Sequence, residues 1–142
     1  MIASLEGMPR VLDLGTNQIT IMVKGVGYLV TITPDYLQEL WDENPSGPIE
    51  FPIFTVYKEG DVFLYGFRNR EERQMFGFLL KARGVGPSIA MLIISELSVS
   101  DIIDIVAKSD KARLLAIRGI GDATADNILK QLKKEYLDVT GT

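Results

Sequence analysis

The chain contains neither cysteine nor histidine. Their absence excludes disulfides, thiol nucleophiles, imidazole bases and the usual zinc sites. No apolar run approaches membrane-spanning length. The start, MIASLEGMPR, carries Glu6 and Pro9 and lacks the apolar core of a secretory signal. No Gly-x-x-x-x-Gly-Lys-Ser/Thr string occurs, so a P-loop nucleotide site is excluded. What is present, 142 residues of which 46% are hydrophobic and 24% charged, is the composition of a globular protein. The expectation is a cytoplasmic chain of one ordinary domain or two small ones.

The net charge of −4 argues at first against a polyanionic partner. It is unevenly spread. Residues 1–66 hold three basic and nine acidic side chains, whereas residues 67–142 hold twelve basic and ten acidic. An acidic half is followed by a mildly basic one.

The first half reads as β. Alternation and β-branched residues mark strands at Ile2–Leu5, Val11–Leu14, Gln18–Lys24, Tyr28–Thr33, Ile49–Tyr57 and Val62–Phe67. Turn signals lie at Leu14-Gly15-Thr16-Asn17, Gly25-Val26-Gly27 and Glu59-Gly60-Asp61, with one or two helical turns from Asp35 to Trp41. So many short strands in so few residues imply a closed or nearly closed barrel, which hides its edges.

The second half reads as helices. Asn69 with Glu72 resembles a capping box ahead of Met75, Phe76, Leu79 and Leu80. Pro87 opens a helix burying Ala90, Ile93, Ile94 and Leu97. Ser100 can cap a third helix over Ile102, Ile103 and Val106, and Ser109 starts a fourth through Leu114 and Leu115. The last runs from about Asp122 to Tyr136, with Ala125, Ile128, Leu129 and Leu132 on its apolar stripe.

Within this half a pattern recurs 35 positions on. Arg83-Gly84-Val85-Gly86 matches Arg118-Gly119-Ile120-Gly121, and Ala90, Ile93 and Leu97 match Ala125, Ile128 and Leu132. One unit of helix, glycine turn and helix is used twice. The glycines permit positive φ and close backbone approach, while Val85 or Ile120 can tuck between the helices. Amides at the start of the following helix then face an anion, and a phosphodiester fits. Such a contact positions DNA without reading its sequence. The competing reading is a helix connector in a protein-interaction domain. A lone Gly-x-Gly is weak, and Gly25-Val26-Gly27 between strands reads as a simple turn or bulge. Ile89 stands where a dinucleotide fingerprint needs its third glycine.

The barrel order, Lys24-Gly25-Val26-Gly27-Tyr28, Leu64-Tyr65-Gly66-Phe67, Gly84-Val85-Gly86-Pro87 and Gly119-Ile120-Gly121 together resemble the RuvA family of bacterial Holliday-junction binders, over essentially the whole chain. The resemblance implies an α+β chain: an OB-fold barrel over residues 1–66, then an all-α tandem helix-hairpin-helix domain over 67–142. It implies a homotetramer that binds four-way junction DNA in recombination and repair. The chain would be a non-catalytic subunit, any helicase activity belonging to a RuvB-type motor, with no cofactor, metal or membrane. The DNA contacts carried over are Lys81, Arg83, Gly84, Val85, Gly86 and Ser88 in the first hairpin. Those in the second are Arg118, Gly119, Ile120, Gly121, Asp122, Ala123 and Thr124. Glu59 and Asp61 match an acidic pin, whose carboxylates would repel phosphates at the junction centre; the plainer reading is a solvated turn.

Three departures accompany the resemblance. Ser88 follows Pro87 where many relatives place a lysine, and Asp122-Ala123 stands where relatives commonly have basic residues. Asp122 is most simply a helix N-cap, and would then compete for the amides a phosphate uses. The chain ends at Thr142, where the family's linker begins, so the small RuvB-contacting domain is expected to be absent. Two alternatives stay open: a branched-DNA or duplex binder without a RuvB partner, and a protein scaffold whose hairpins hold no phosphate. A nuclease or glycosylase would rest on acids such as Asp122, Asp126 and Asp138, with no evident pocket or metal cluster.

Overall fold

The computed structural model describes residues 1–11 and 14–138. Five strands come first: β1 Ser4–Arg10, β2 Gln18–Val23, β3 Val26–Thr31, β4 Ile49–Lys58 and β5 Asp61–Gly66, with α1 Pro34–Glu43 between β3 and β4. They close in the order β1-β2-β3-β5-β4, the OB-like arrangement. β1 achieves the closure by changing partners. Ser4 to Gly7 pair with β4, and Met8 to Arg10 pair with β2. A Cβ at Gly7 would collide with the Met22 carbonyl, so the corner needs glycine.

Alternation buries one face of each strand. Ile19, Ile21, Val30, Ile32, Phe51 and Ile53 form the barrel core, and α1 adds Tyr36, Leu37 and Leu40. Thr33 caps α1 by accepting from the Tyr36 amide, while Asn44 ends it at φ +42. Burial first, then the Glu39 charge, pushes the Tyr36 hydroxyl up to about 12, with Arg68 pulling the other way. Arg68 stacks 4.8 Å from the Tyr36 ring centre and pairs with Asp35, Glu39 and Glu72 at 3.0, 3.2 and 3.3 Å.

The expected strand at Val11–Leu14 is not formed: Val11 follows the end of β1, Leu14 lies in a turn, and Leu12 and Asp13 fall outside the described residues. β1 instead runs on to Arg10, because β2 supplies a second partner where β4 leaves off. The Gly25-Val26-Gly27 turn is also displaced. Lys24 and Gly25 carry the positive φ, and Val26 and Gly27 already pair in β3.

Six helical segments follow: α2 Arg70–Leu80, α3 Pro87–Glu96, α4 Val99–Lys108, α5 Lys111–Leu115, α6 Asp122–Lys133 and a π-helical turn, Lys134–Asp138. The chain divides into two compact units, Met1–Arg73 and Gln74–Thr142. The division falls inside α2 because Arg73 still belongs to the barrel. Its Nε donates to the Ile53 carbonyl at 2.5 Å, and its guanidinium lies 5.4 Å from the Phe54 ring centre.

The second unit has its own core of Met75, Phe76, Leu79, Ala90, Ile93, Ile94, Ile102, Ile105, Val106, Leu114, Ala125, Ile128 and Leu132. Leu115 is exposed, since five-residue α5 turns only Leu114 to the core. Two expected caps move as well. Ser98, not Ser100, caps α4, in a reciprocal box with Asp101. Ser109 ends α4 at φ +52 instead of starting α5, whose N-cap is Asp110. Asn69 does accept from the Glu72 amide, but the Glu72 carboxylate returns to the Arg68 amide. Among the described residues no helix is long and apolar enough to cross a membrane.

Candidate nucleic-acid interface

Two glycine turns organise the second unit. Gly84 lies at φ +87 and Gly119 at φ +101, where an L side chain is strained. Each turn is closed in the same way, Val85 N–H to Ala82 C=O at 3.1 Å and Ile120 N–H to Ile117 C=O at 3.2 Å. Val85 and Ile120 are buried, which leaves only their backbone to face a ligand. Gly86 and Gly121 then take the N-cap positions of α3 and α6 in extended conformation, with no capping side chain on either.

An uncapped helix start leaves its first amides without a partner in the helix. The first intrahelical bonds are Ala90 N–H to Gly86 C=O and Ala125 N–H to Gly121 C=O. The amides ahead of them are Ser88 and Ile89 in one hairpin, since Pro87 has no N–H. In the other they are Asp122, Ala123 and Thr124. Both sets sit at the positive end of a helix dipole.

The two hairpins lean on each other. A Cβ at Gly84 would stand 3.2 Å from Thr124 Oγ1; one at Gly119 would stand 3.8 and 3.9 Å from Leu92 and Ile89. Thr124 is the counterpart of Ile89 at the offset of 35. So each turn rests on the second helix of the other repeat, as a local two-fold exchange requires. Asn127, the counterpart of Leu92, donates to the Arg83 carbonyl at 3.0 Å and ties the hairpins together.

Around these helix starts Arg83, Arg118, Ser88 and Ala123 are exposed, and Thr124 is half-buried. Lys81 is exposed too, but its Nζ lies 3.4 Å from Glu135 and 5.6 Å from the Phe78 ring centre.

Asp122 is not the expected N-cap. Gly121 fills that place, and Asp122 is the first helical residue. Its carboxylate lies 2.8 Å from Lys111 Nζ, which also meets Asp126 at 3.0 Å. These two hydrogen bonds, Asp122 first and Asp126 second, raise the Lys111 pKa. The repeated turn puts a glycine at the N-cap in both hairpins, and the Asp122 carboxylate pairs with Lys111. Lys111 and Asn127 were not expected at the site. The signal for Lys111 was the i,i+4 pair Asp122 and Asp126, two acids on one helix face that want a cation between them.

Glu59 and Asp61 are in the barrel unit, exposed at the β4–β5 hairpin. Glu59 and Gly60 form its two-residue turn, at φ +52 and +83. Among the described residues no three carboxylates group as a metal site, and the Asp138 side chain is outside them.

Comparison with known proteins matches residues 1–66 to the RuvA N terminal domain and residues 76–134 to the SAM-like helix-hairpin-helix tandem. The Holliday junction branch migration complex subunit RuvA of Solibacter usitatus is 32% identical over 141 residues, covering 99% of this chain and 70% of that protein. The chain belongs to the RuvA family. The RuvA subunit of Enterobacter sp. (strain 638) is 34% identical, covering 99% of this chain and 68% of its own. That of Anaeromyxobacter sp. (strain Fw109-5) is 36% identical over 135 residues, covering 95% of this chain and 66% of its own. The chain thus spans about two thirds of the length of these RuvA relatives.

Proposed function

We propose that this chain binds four-way junction DNA through phosphate contacts, independently of sequence, as a subunit of a homotetramer. The observation that carries the reading is the pair of uncapped helix starts at Gly86 and Gly121, held side by side by the exchange of Gly84 and Gly119 contacts. Backbone from Gly84 to Ser88 and from Gly119 to Thr124 would hold two phosphates on one arm. Arg83 and Arg118 would add charge, and Lys81 would do so once released from Glu135. The names of the relatives, subunits of a Holliday junction branch migration complex, support the same partner. In this reading the chain is the DNA-holding, non-catalytic part, and a separate ATPase of the RuvB type moves the strands.

Four copies around a centre would turn Glu59 and Asp61 into a ring of carboxylates that keeps strands apart. The barrel supports assembly, since Leu29, Tyr57, Val62 and Phe63 are exposed apolar residues that a partner copy would cover.

The test is a gel-shift titration of a four-way junction against linear duplex at several salt concentrations, with particle mass measured in parallel. Preference for the junction, a tetrameric mass and steep weakening with salt are expected, at roughly 0.9 in log–log slope per phosphate held. Equal affinity for the two DNAs at matched salt would refute the reading.

A further inference from the structure

We propose that Lys111 is a positioning residue for the second hairpin: it draws the Asp122 carboxylate off the start of α6 and so keeps that helix start open to a phosphate. The inference rests on the DNA-binding reading above and adds to it a residue outside the hairpin turn.

An aspartate at the first helical position has two places to put its charge. It can bend back over the free amides of its own helix, which attract any anion, or it can pair with a cation. In this chain it does the second, 2.8 Å from Lys111 Nζ on α5. Lys111 also pairs with Asp126, one turn further along α6, at 3.0 Å. No side chain caps α6. The hairpin therefore carries two acids beside its phosphate site and still presents Asp122, Ala123 and Thr124 amides. The first hairpin has no such acids, with Pro87, Ser88 and Ile89 at the same positions, and it has no lysine at the place of Lys111. The counterpart there, 35 residues earlier, is Phe76, which is buried. The lysine accompanies the acids.

The contact is exposed at Asp122, so it adds little to stability. Its effect falls on the ligand. Without Lys111, Asp122 turns to the amides, and two uncompensated negative charges face the incoming phosphate.

The experiment is a mutant cycle on DNA affinity, read by gel shift or anisotropy with melting temperature as a control. Lys111→Met is expected to weaken junction binding about tenfold, the loss of roughly one ionic contact. Asp122→Ala with Asp126→Ala in the same chain should restore binding to within about twofold of the parent, because neither an acid nor a capping oxygen is left to restrain. Lys111→Arg should bind as the parent does. Lys108→Met removes the same charge from α4, where Lys108 pairs with Asp104, and should change affinity much less. If the triple variant stays as weak as Lys111→Met, Lys111 grips phosphate directly and the inference is overturned. Parent-like binding by Lys111→Met overturns it as well, while leaving the DNA-binding reading intact. A parent chain that binds no DNA removes both.

Discussion

Replacing Gly84 by alanine puts a Cβ at φ +87 and 3.2 Å from Thr124 Oγ1. The left-handed backbone alone costs an alanine about 1–2 kcal/mol, and Thr124 must also give way. Gly86 is two residues on, has ordinary extended backbone, and would meet nothing with a Cβ. Gly86→Ala therefore costs only a weaker cap, roughly 0.5 kcal/mol, but it crowds the surface where the proposed phosphate lies. Melting and gel-shift data on the two variants should separate: Gly84→Ala lowers stability more, and Gly86→Ala lowers affinity with little loss of stability. In the barrel unit, Tyr36 gives a pH signature. Its hydroxyl ionises near 10.0 in the unfolded chain and near 12 when folded. Between those values the unfolded state holds fewer protons, so stability is intact below pH 10 and falls as pH rises toward 12. The loss attributable to Tyr36 is on the order of 2–3 kcal/mol. Urea melts of the parent and Tyr36→Phe from pH 9 to 12 measure it, and a parallel fall in both would count against the assignment.

At the scale of elements, α4 shows how a cap is chosen. Ser98 and Ser100 are both plausible N-caps for the same apolar run. Only Ser98 lies three residues before an acid, and its Oγ accepts from the Asp101 amide at 3.0 Å while Asp101 returns to the Ser98 amide. Ser98→Ala should cost about 1 kcal/mol, whereas Ser100→Ala should change stability by a few tenths at most. Thermal melts of the two variants decide it; equal losses would place the cap elsewhere. The spacing to Asp101 was legible in the sequence. What obscured it was local: serines at 98, 100 and 109 all suit helix ends, and the strength of each depends on where the helical hydrogen bonds begin. Ser109 illustrates the opposite end, closing α4 at φ +52 by donating its amide to the Val106 carbonyl.

Across the whole chain, charge and fold divide at nearly the same place. The acidic half is the barrel, and most of the basic residues lie beyond it. Among the described residues, five of the twelve cations beyond residue 66 stand in ion pairs. Arg68 is enclosed by three carboxylates, Lys111 holds two, and Arg113 reaches Asp101 and Asp104. A count of lysines and arginines therefore overstates the charge offered to DNA. For a chain with net charge −4, phosphate contact by oriented amides is the more economical device, because a helix start attracts anions without a formal charge.

The barrel, the helices and the doubled glycine turn were legible in the residues alone. Strand alternation, the apolar stripes of α3 and α6, and the offset of 35 residues are local or periodic signals, written within one element or one repeat. Packing in three dimensions settled where β1 changes partner, which repeat each glycine touches, and what Asp122 does. Those outcomes join residues that no local pattern links: Gly7 with Met22, Gly84 with Thr124, and Lys111 with both Asp122 and Asp126. Asp122 is the clearest case. Local propensity favours an aspartate at the N-cap, but the repeated turn puts a glycine there, as it does in the first hairpin, and leaves the Asp122 carboxylate to a lysine brought alongside by the packing of α5 on α6.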